Sequence, residues 1–181
     1  MQSPNWKVWL NDKKECEIWL KRYTNKKVLI KSHDESKLHL KKTEHNLNFA
    51  NWLFDRHRDS IQEFFGDEKF YDWVVSIYYY AVYHSALALV SNKKHKSISH
   101  SASLCFLIYY YYHKKQLEKE DIEIAANSLN REDIETIGIA KELRERASYN
   151  VHEIFEEKLA DNARREALNF INKVKAILNK I

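Results

Sequence analysis

The chain has 181 residues, of which 44% are hydrophobic and 31% charged, and it carries a net charge of +4 at pH 7. This composition excludes an intrinsically disordered chain. Two glycines and one proline are too few for the turns and phosphate loops of β-sandwiches, Rossmann folds and P-loop domains. We therefore predict an all-α protein. Its charge is compatible with an acidic partner but does not require one.

Cysteine usage and hydropathy point to a cytoplasmic protein. Cys16 and Cys105 are far apart in the sequence and form no C-x-x-C pair, so we expect neither a disulfide framework nor a zinc site. The N-terminus lacks the long apolar run of a signal peptide. The longest apolar stretch, near Trp73–Val90, is interrupted by serines and by His84. We predict a buried core helix there, and no contact with a membrane.

The N-terminal half contains a strap and the first bundle helices. Residues 1–32 combine an amphipathic helix with a basic connector, and we interpret them as an N-terminal helical strap on the main bundle, residues 33–181. Asp34 is expected to cap a helix that runs from about residue 35 to residue 57. Another short helix is expected near Ser60–Phe65.

The segment Phe70–Val90 is predicted to be the central helix. Its apolar residues fall on two stripes, and a helix that is apolar on more than one side is buried on more than one side. Trp73 and His84 lie on one of these stripes, so both are expected to face inward. Ser99 or Ser101 is expected to cap the following helix. Further helices are predicted near residues 120–129, 131–149 and 154–181, which gives an up-and-down bundle of five to six helices.

Four segments of the chain carry candidate chemistry. They are YYYAVYHSA (Tyr78–Ala86), KSISHS (Lys96–Ser101), YYYYH (Tyr109–His113) and LRERASYNVH (Leu143–His152). Their order and spacing resemble the HEPN family, the small helical domains of prokaryotes, over roughly residues 33–181. The resemblance implies a helical bundle that pairs as a homodimer. Many members are metal-independent ribonucleases, often toxins opposed by a nucleotidyltransferase antitoxin, whereas others are not known to cut RNA.

The family hallmark is an arginine followed, after four to six residues, by a histidine. Such a pair needs no metal, because a neutral imidazole can move the proton of the RNA 2′-hydroxyl. The arginine binds the phosphate through its planar fork and stabilises developing charge. No HExxH sequence or comparable metal motif is present, so we expect neither metal nor cofactor.

This chain offers two interpretations of the hallmark. Arg146 and His152 are separated by five residues, which fits the spacing. Arg144 and Tyr149 are separated by four, but tyrosine then stands in place of histidine, as in degenerate members. At about 100° per residue, Arg144 shares a face with apolar residues and Arg146 lies about 160° away. The phase therefore favours Arg144 as the inward residue.

The catalytic interpretation depends on a break in the helix after Tyr149. We predict a turn there, with Asn150 as the cap of the last helix, so that His152 lies at a helix start that attracts phosphate. An unbroken helix would keep Arg146 and His152 from sharing one phosphate within a protomer. The position two residues after His152 is Ile154, where some toxins of this family carry a modified tyrosine, so antitoxin control of that kind is not expected.

Two functions therefore remain open from the sequence. One is an RNA-binding protein and metal-independent endoribonuclease in a toxin–antitoxin or defence setting, with Arg146, His152 and Arg144 as catalytic candidates. Tyr149, Asn150 and His84 are the accompanying binding candidates, and His84 also suits a hydrogen-bonded position in the core or at a dimer seam. The other is a non-catalytic homodimer that binds a partner protein or a nucleotide.

Overall fold

A computed structural model of the chain describes residues 4–57, 60–134 and 157–179. These residues form an all-α helical bundle with one short antiparallel ribbon, which confirms the predicted fold class. The helices are α1 (Trp6–Asn11), α2 (Lys13–Asn25), α3 (Ser36–Arg56), α4 (Ile61–Phe65), α5 (Tyr71–Asn92), α6 (His100–Leu107), a π-helix (Ile108–Tyr112), α7 (Lys119–Ile134) and α8 (Glu157–Leu178). The ribbon strands are β1 (Leu29–Lys31) and β2 (His95–Ser97).

Helix α5 is the centre of the bundle, as its apolar pattern predicts. It packs most extensively against α3 and α8 and also contacts α6 and α7. Its fully buried residues include Val74, Tyr78 and Ala81. The inward placement of Trp73 was wrong, because that side chain is 60% exposed. The helix therefore keeps one side in solvent, although its hydropathy alone does not reveal which side.

Helix α5 is also long enough and apolar enough to cross a membrane, judged by its length and composition alone. However, 61% of its most apolar window is buried inside the protein. That burial is what a core helix requires, since its apolar surface is covered by neighbouring helices rather than by lipid.

The predicted boundaries of α3 lie within one residue of those observed. The carboxylate of Asp34 accepts a hydrogen bond from the Ser36 backbone N–H at 2.9 Å, so it satisfies a donor at the helix start. The pKa of Asp34 lies below its usual value, mainly through a hydrogen bond from the Ser36 side chain, with the backbone bond and the nearby Lys94 and Lys37 adding to the effect. Ser91, at the end of α5, accepts a bond from the Glu35 N–H at 2.6 Å and thereby ties the start of α3 to its neighbour.

The N-terminal residues form two helices rather than one. Asp12 ends α1 and caps α2 by accepting a hydrogen bond from the Glu15 N–H at 3.0 Å. Both helices pack against α6 and the π-helix, with Trp9 almost fully buried. Strand β1 then pairs with β2, with Ile30 opposite Lys96. The composition of the chain did not predict this ribbon, which joins segments about 65 residues apart in sequence.

The start of α7 and the C-terminal part of α8 are joined through one buried carboxylate. Asp121 accepts a hydrogen bond from the Glu118 N–H at 2.7 Å and pairs with the ammonium of Lys173 at 2.8 Å. Burial opposes the charge on Lys173, but the hydrogen bonds and charges of Asp121 and Glu118 outweigh it, so the pKa of Lys173 is raised. This contact fixes the position of α8 beside α7.

Candidate histidine site

The candidate site residue His84 lies in a group of aromatic and imidazole rings contributed by α3, α5 and α6. His39 of α3 and His84 of α5 stack with ring centroids 5.9 Å apart and an interplanar angle of 29°. Tyr83 contacts His84 edge-on at 5.2 Å and lies 5.3 Å from His100, the first residue of α6. We call these four rings the histidine–tyrosine row. The row brings together two of the sequence segments that carry the family resemblance.

Local sequence explains how each ring is placed. Of the two serines expected to cap α6, Ser99 does so by accepting a hydrogen bond from the Ala102 N–H at 3.5 Å, and His100 therefore takes the first helical position. Ser85, next to His84, turns its hydroxyl back to the Val82 carbonyl at 2.7 Å and therefore adds no polar group to the row. Small neighbours, Ala81 and Ala88, let α5 lie close to the adjacent helices.

His84 is held uncharged by its surroundings. Burial lowers its pKa to about 4, and the positive charge of Lys42, together with that of His39 when it is protonated, acts in the same direction. Burial also lowers the pKa of His39, with Lys96 adding to the effect and Glu35 opposing it. Both imidazoles are therefore neutral at neutral pH. The Nδ1 atom of His84 is buried and has no hydrogen-bond partner within the described residues.

Two lysine-rich segments of the chain include the lysines that influence this pair of imidazoles, Lys42 near His84 and Lys96 near His39. Residues 26–42 hold six lysines against the two acidic residues Asp34 and Glu35, and residues 93–100 hold three lysines and no acidic residue. The pairing of β1 with β2 places these segments side by side. An anionic ligand at this surface would meet favourable charge, and its negative charge would raise the pKa of the imidazoles.

The Arg-to-His segment cannot be placed beside this row. Arg144, Arg146, Tyr149, Asn150 and His152 all lie outside the described residues, as does the predicted turn after Tyr149. Of the candidate site residues, His84 alone falls within the described part of the chain. Its side chain is half-buried, and its Nδ1 lacks, among the described residues, the hydrogen bond expected of a core histidine.

Sequence reasoning did not identify His39 as a site residue. The one indication in the sequence was its position, since His39 lies between a charged helix start and the lysines Lys41 and Lys42. Only the packing of α3 on α5 shows that it stacks on His84. Across the described residues, no group of three or more His, Cys, Asp or Glu side chains is arranged to hold a metal ion.

Comparison with protein-family models and with curated proteins finds no match to this chain.

Proposed function

We propose that this chain is a HEPN-like RNA-binding protein that acts as a homodimer. The observation that carries the proposal is the neutral His39–His84 pair bordered by lysines on α3 and on the β1–β2 ribbon. Lysines supply the sequence-independent attraction to phosphate on which RNA binding depends. Neutral imidazoles beside them can exchange hydrogen bonds with the ribose 2′-hydroxyl or accept a proton.

Binding without cleavage is the more strongly supported form of this proposal. General acid–base catalysis is most efficient when the pKa of the catalytic group lies near the working pH. A pKa of about 4 makes His84 a weak proton acceptor at neutral pH. If RNA is cut, the proton transfer is therefore expected to fall to His152, with Arg146 binding the phosphate.

RNA binding and cleavage by the purified protein, with and without EDTA, test the proposal. We expect labelled single-stranded RNA to bind with strong salt dependence. The double variant Lys42→Ala/Lys96→Ala should weaken binding several-fold, since two phosphate contacts are lost. The matched control is Lys14→Ala/Lys158→Ala, which removes the same charge from exposed positions in α2 and α8.

Three outcomes separate the alternatives. Cleavage that persists in EDTA and disappears in Arg146→Ala and in His152→Ala would support a metal-independent ribonuclease. Binding without cleavage would leave the non-catalytic RNA-binding protein. No RNA binding at low salt would contradict the proposal and leave a dimer that binds a protein or a nucleotide. A sedimentation run that shows only a 21.8 kDa particle would contradict the homodimer.

A further inference from the structure

One face of α3 carries a continuous row of exposed aromatic and basic side chains. At about 100° per residue, the exposed Leu38 shares an arc of about 100° with six aromatic or basic positions of this helix. We call these six the outer strip of α3: Lys41, Lys42, His45, Phe49, Trp52 and Arg56. All six side chains are exposed. The strip contains no acidic residue.

The two aromatic residues of the outer strip form a ready-made stacking surface. Phe49 and Trp52 are 49% and 53% exposed, and their rings are stacked with centroids 6.1 Å apart and an interplanar angle of 15°. The guanidinium of Arg56 lies over the Trp52 ring, with its central carbon 5.9 Å from the centroid. Adjacent exposed aromatic rings are a common feature of surfaces that bind a ligand.

The nearest acidic side chains of α3 are turned away and paired. Glu44 binds the Lys175 ammonium at 3.0 Å, and Asp55 binds the Arg164 guanidinium at 3.3 Å, both on α8. They lie outside the arc of the outer strip, on the side of α3 that faces α8. The strip therefore presents positive charge and aromatic faces together, which matches the backbone and bases of an unpaired nucleic acid strand.

We propose that the outer strip of α3 binds single-stranded RNA, with bases stacked on Phe49 and Trp52 and phosphates held by Arg56, Lys41 and Lys42. This inference rests on the proposed RNA-binding function and names the class of RNA and the surface it occupies. Unpaired bases are required, because in a duplex the faces of the bases are already stacked on each other. The charge of Lys42 also lowers the pKa of His84, so one edge of the outer strip lies near the histidine–tyrosine row.

Fluorescence anisotropy with single-stranded RNA and with a duplex of the same sequence tests the surface. We expect Trp52→Ala to weaken single-strand binding roughly tenfold or more, and Phe49→Ala to do the same. Duplex binding should change little. Trp73→Ala is the matched control, because Trp73 is equally exposed but lies on α5. Trp52→Phe should keep the affinity and reduce the quenching of tryptophan fluorescence by RNA, which reports stacking on this ring.

The outcomes distinguish this inference from the function on which it rests. If the unmodified protein binds no RNA, both fail. If it binds single-stranded RNA but Trp52→Ala and Phe49→Ala bind equally well, only the outer strip is overturned. If these variants instead dissociate a dimer in sedimentation, the strip is an interface between two copies and the inference is also overturned. All variants lie on an exposed surface, and circular dichroism should verify that they remain folded.

Discussion

The thiols of Cys16 and Cys105 each donate a hydrogen bond to the backbone carbonyl of the other residue, at 3.5 Å and 3.4 Å, and their Sγ atoms are 3.7 Å apart. Both side chains are fully buried where α2 packs on α6. The contact joins the N-terminal helices to the bundle across 89 residues of sequence. Two cysteines that appear unrelated in the sequence therefore form one structural unit.

The first prediction concerns the reactivity of these thiols. The hydrogen bond to Cys16 and burial raise the pKa of Cys105 well above its usual value, and the thiolate is the reactive form. We expect native protein to react very slowly with Ellman's reagent and protein in urea to react rapidly at both cysteines. Rapid reaction of either thiol under native conditions would contradict the buried contact between α2 and α6.

The second prediction concerns His57, which joins the end of α3 to the start of α5. Its Nε2 accepts a hydrogen bond from the Phe70 N–H at 2.8 Å, so its Nδ1 carries the proton and donates to the Leu53 carbonyl at 2.7 Å. The ring also stacks on Tyr71 at 4.4 Å. We expect His57→Ala to lower the free energy of unfolding by about 2–4 kcal/mol, since a cavity and an unpaired N–H result.

Urea denaturation measures this loss. His33→Ala is a suitable control, because His33 is exposed in the loop before α3, and an exposed substitution typically changes stability by less than about 0.5 kcal/mol. Equal midpoints for the two variants would show that His57 does not hold α3 and α5 together.

The third prediction concerns Lys115, which adopts a left-handed backbone conformation with a φ of 59°. It follows the π-helix, and the turn is closed by hydrogen bonds from the Lys115 N–H to the Tyr112 carbonyl and from the Gln116 N–H to the Tyr111 carbonyl. A side chain is strained in this conformation, whereas glycine is not. We expect Lys115→Gly to raise the free energy of unfolding by up to about 1 kcal/mol.

The neighbouring residue provides the control. Lys114 has no left-handed conformation, so Lys114→Gly should lower the free energy of unfolding by about 0.5–1 kcal/mol through added chain entropy. Thermal unfolding of the two variants should therefore shift in opposite directions. A decrease for Lys115→Gly would contradict the geometry of this turn.

Sequence reasoning located α3, α5 and the start of α6 well because their signals are local, but it expected separate helices on either side of residue 130, where α7 continues to Ile134. Caps such as Ser99 and apolar periodicity such as that of α5 act within one element. Turns were harder, because Lys27, Lys94 and Lys115 occupy the left-handed positions at which glycine is usually found. The β1–β2 ribbon, the Cys16–Cys105 contact and the stacking of His39 on His84 depend on packing between distant segments. No local pattern encodes those pairings, so only the fold reveals them.

The last prediction is a loss of stability on acidification that depends on His84. Its pKa is about 4 in the folded protein and about 6.5 in an unfolded chain. Between these values the unfolded chain binds a proton that the folded protein does not, so the free energy of unfolding falls as the pH decreases from about 6.5 to about 4. We expect about 1–2 kcal/mol from this half-buried ring once solvent screening is considered. His84→Gln should flatten that part of the stability–pH profile in urea denaturation, while His33→Ala should leave it unchanged.

Bound RNA should raise the pKa of His84, because the RNA phosphates favour the charged form of the imidazole. NMR titration of the His84 ring should therefore show a higher pKa in the complex, and an unchanged value would indicate that RNA binds away from the histidine–tyrosine row.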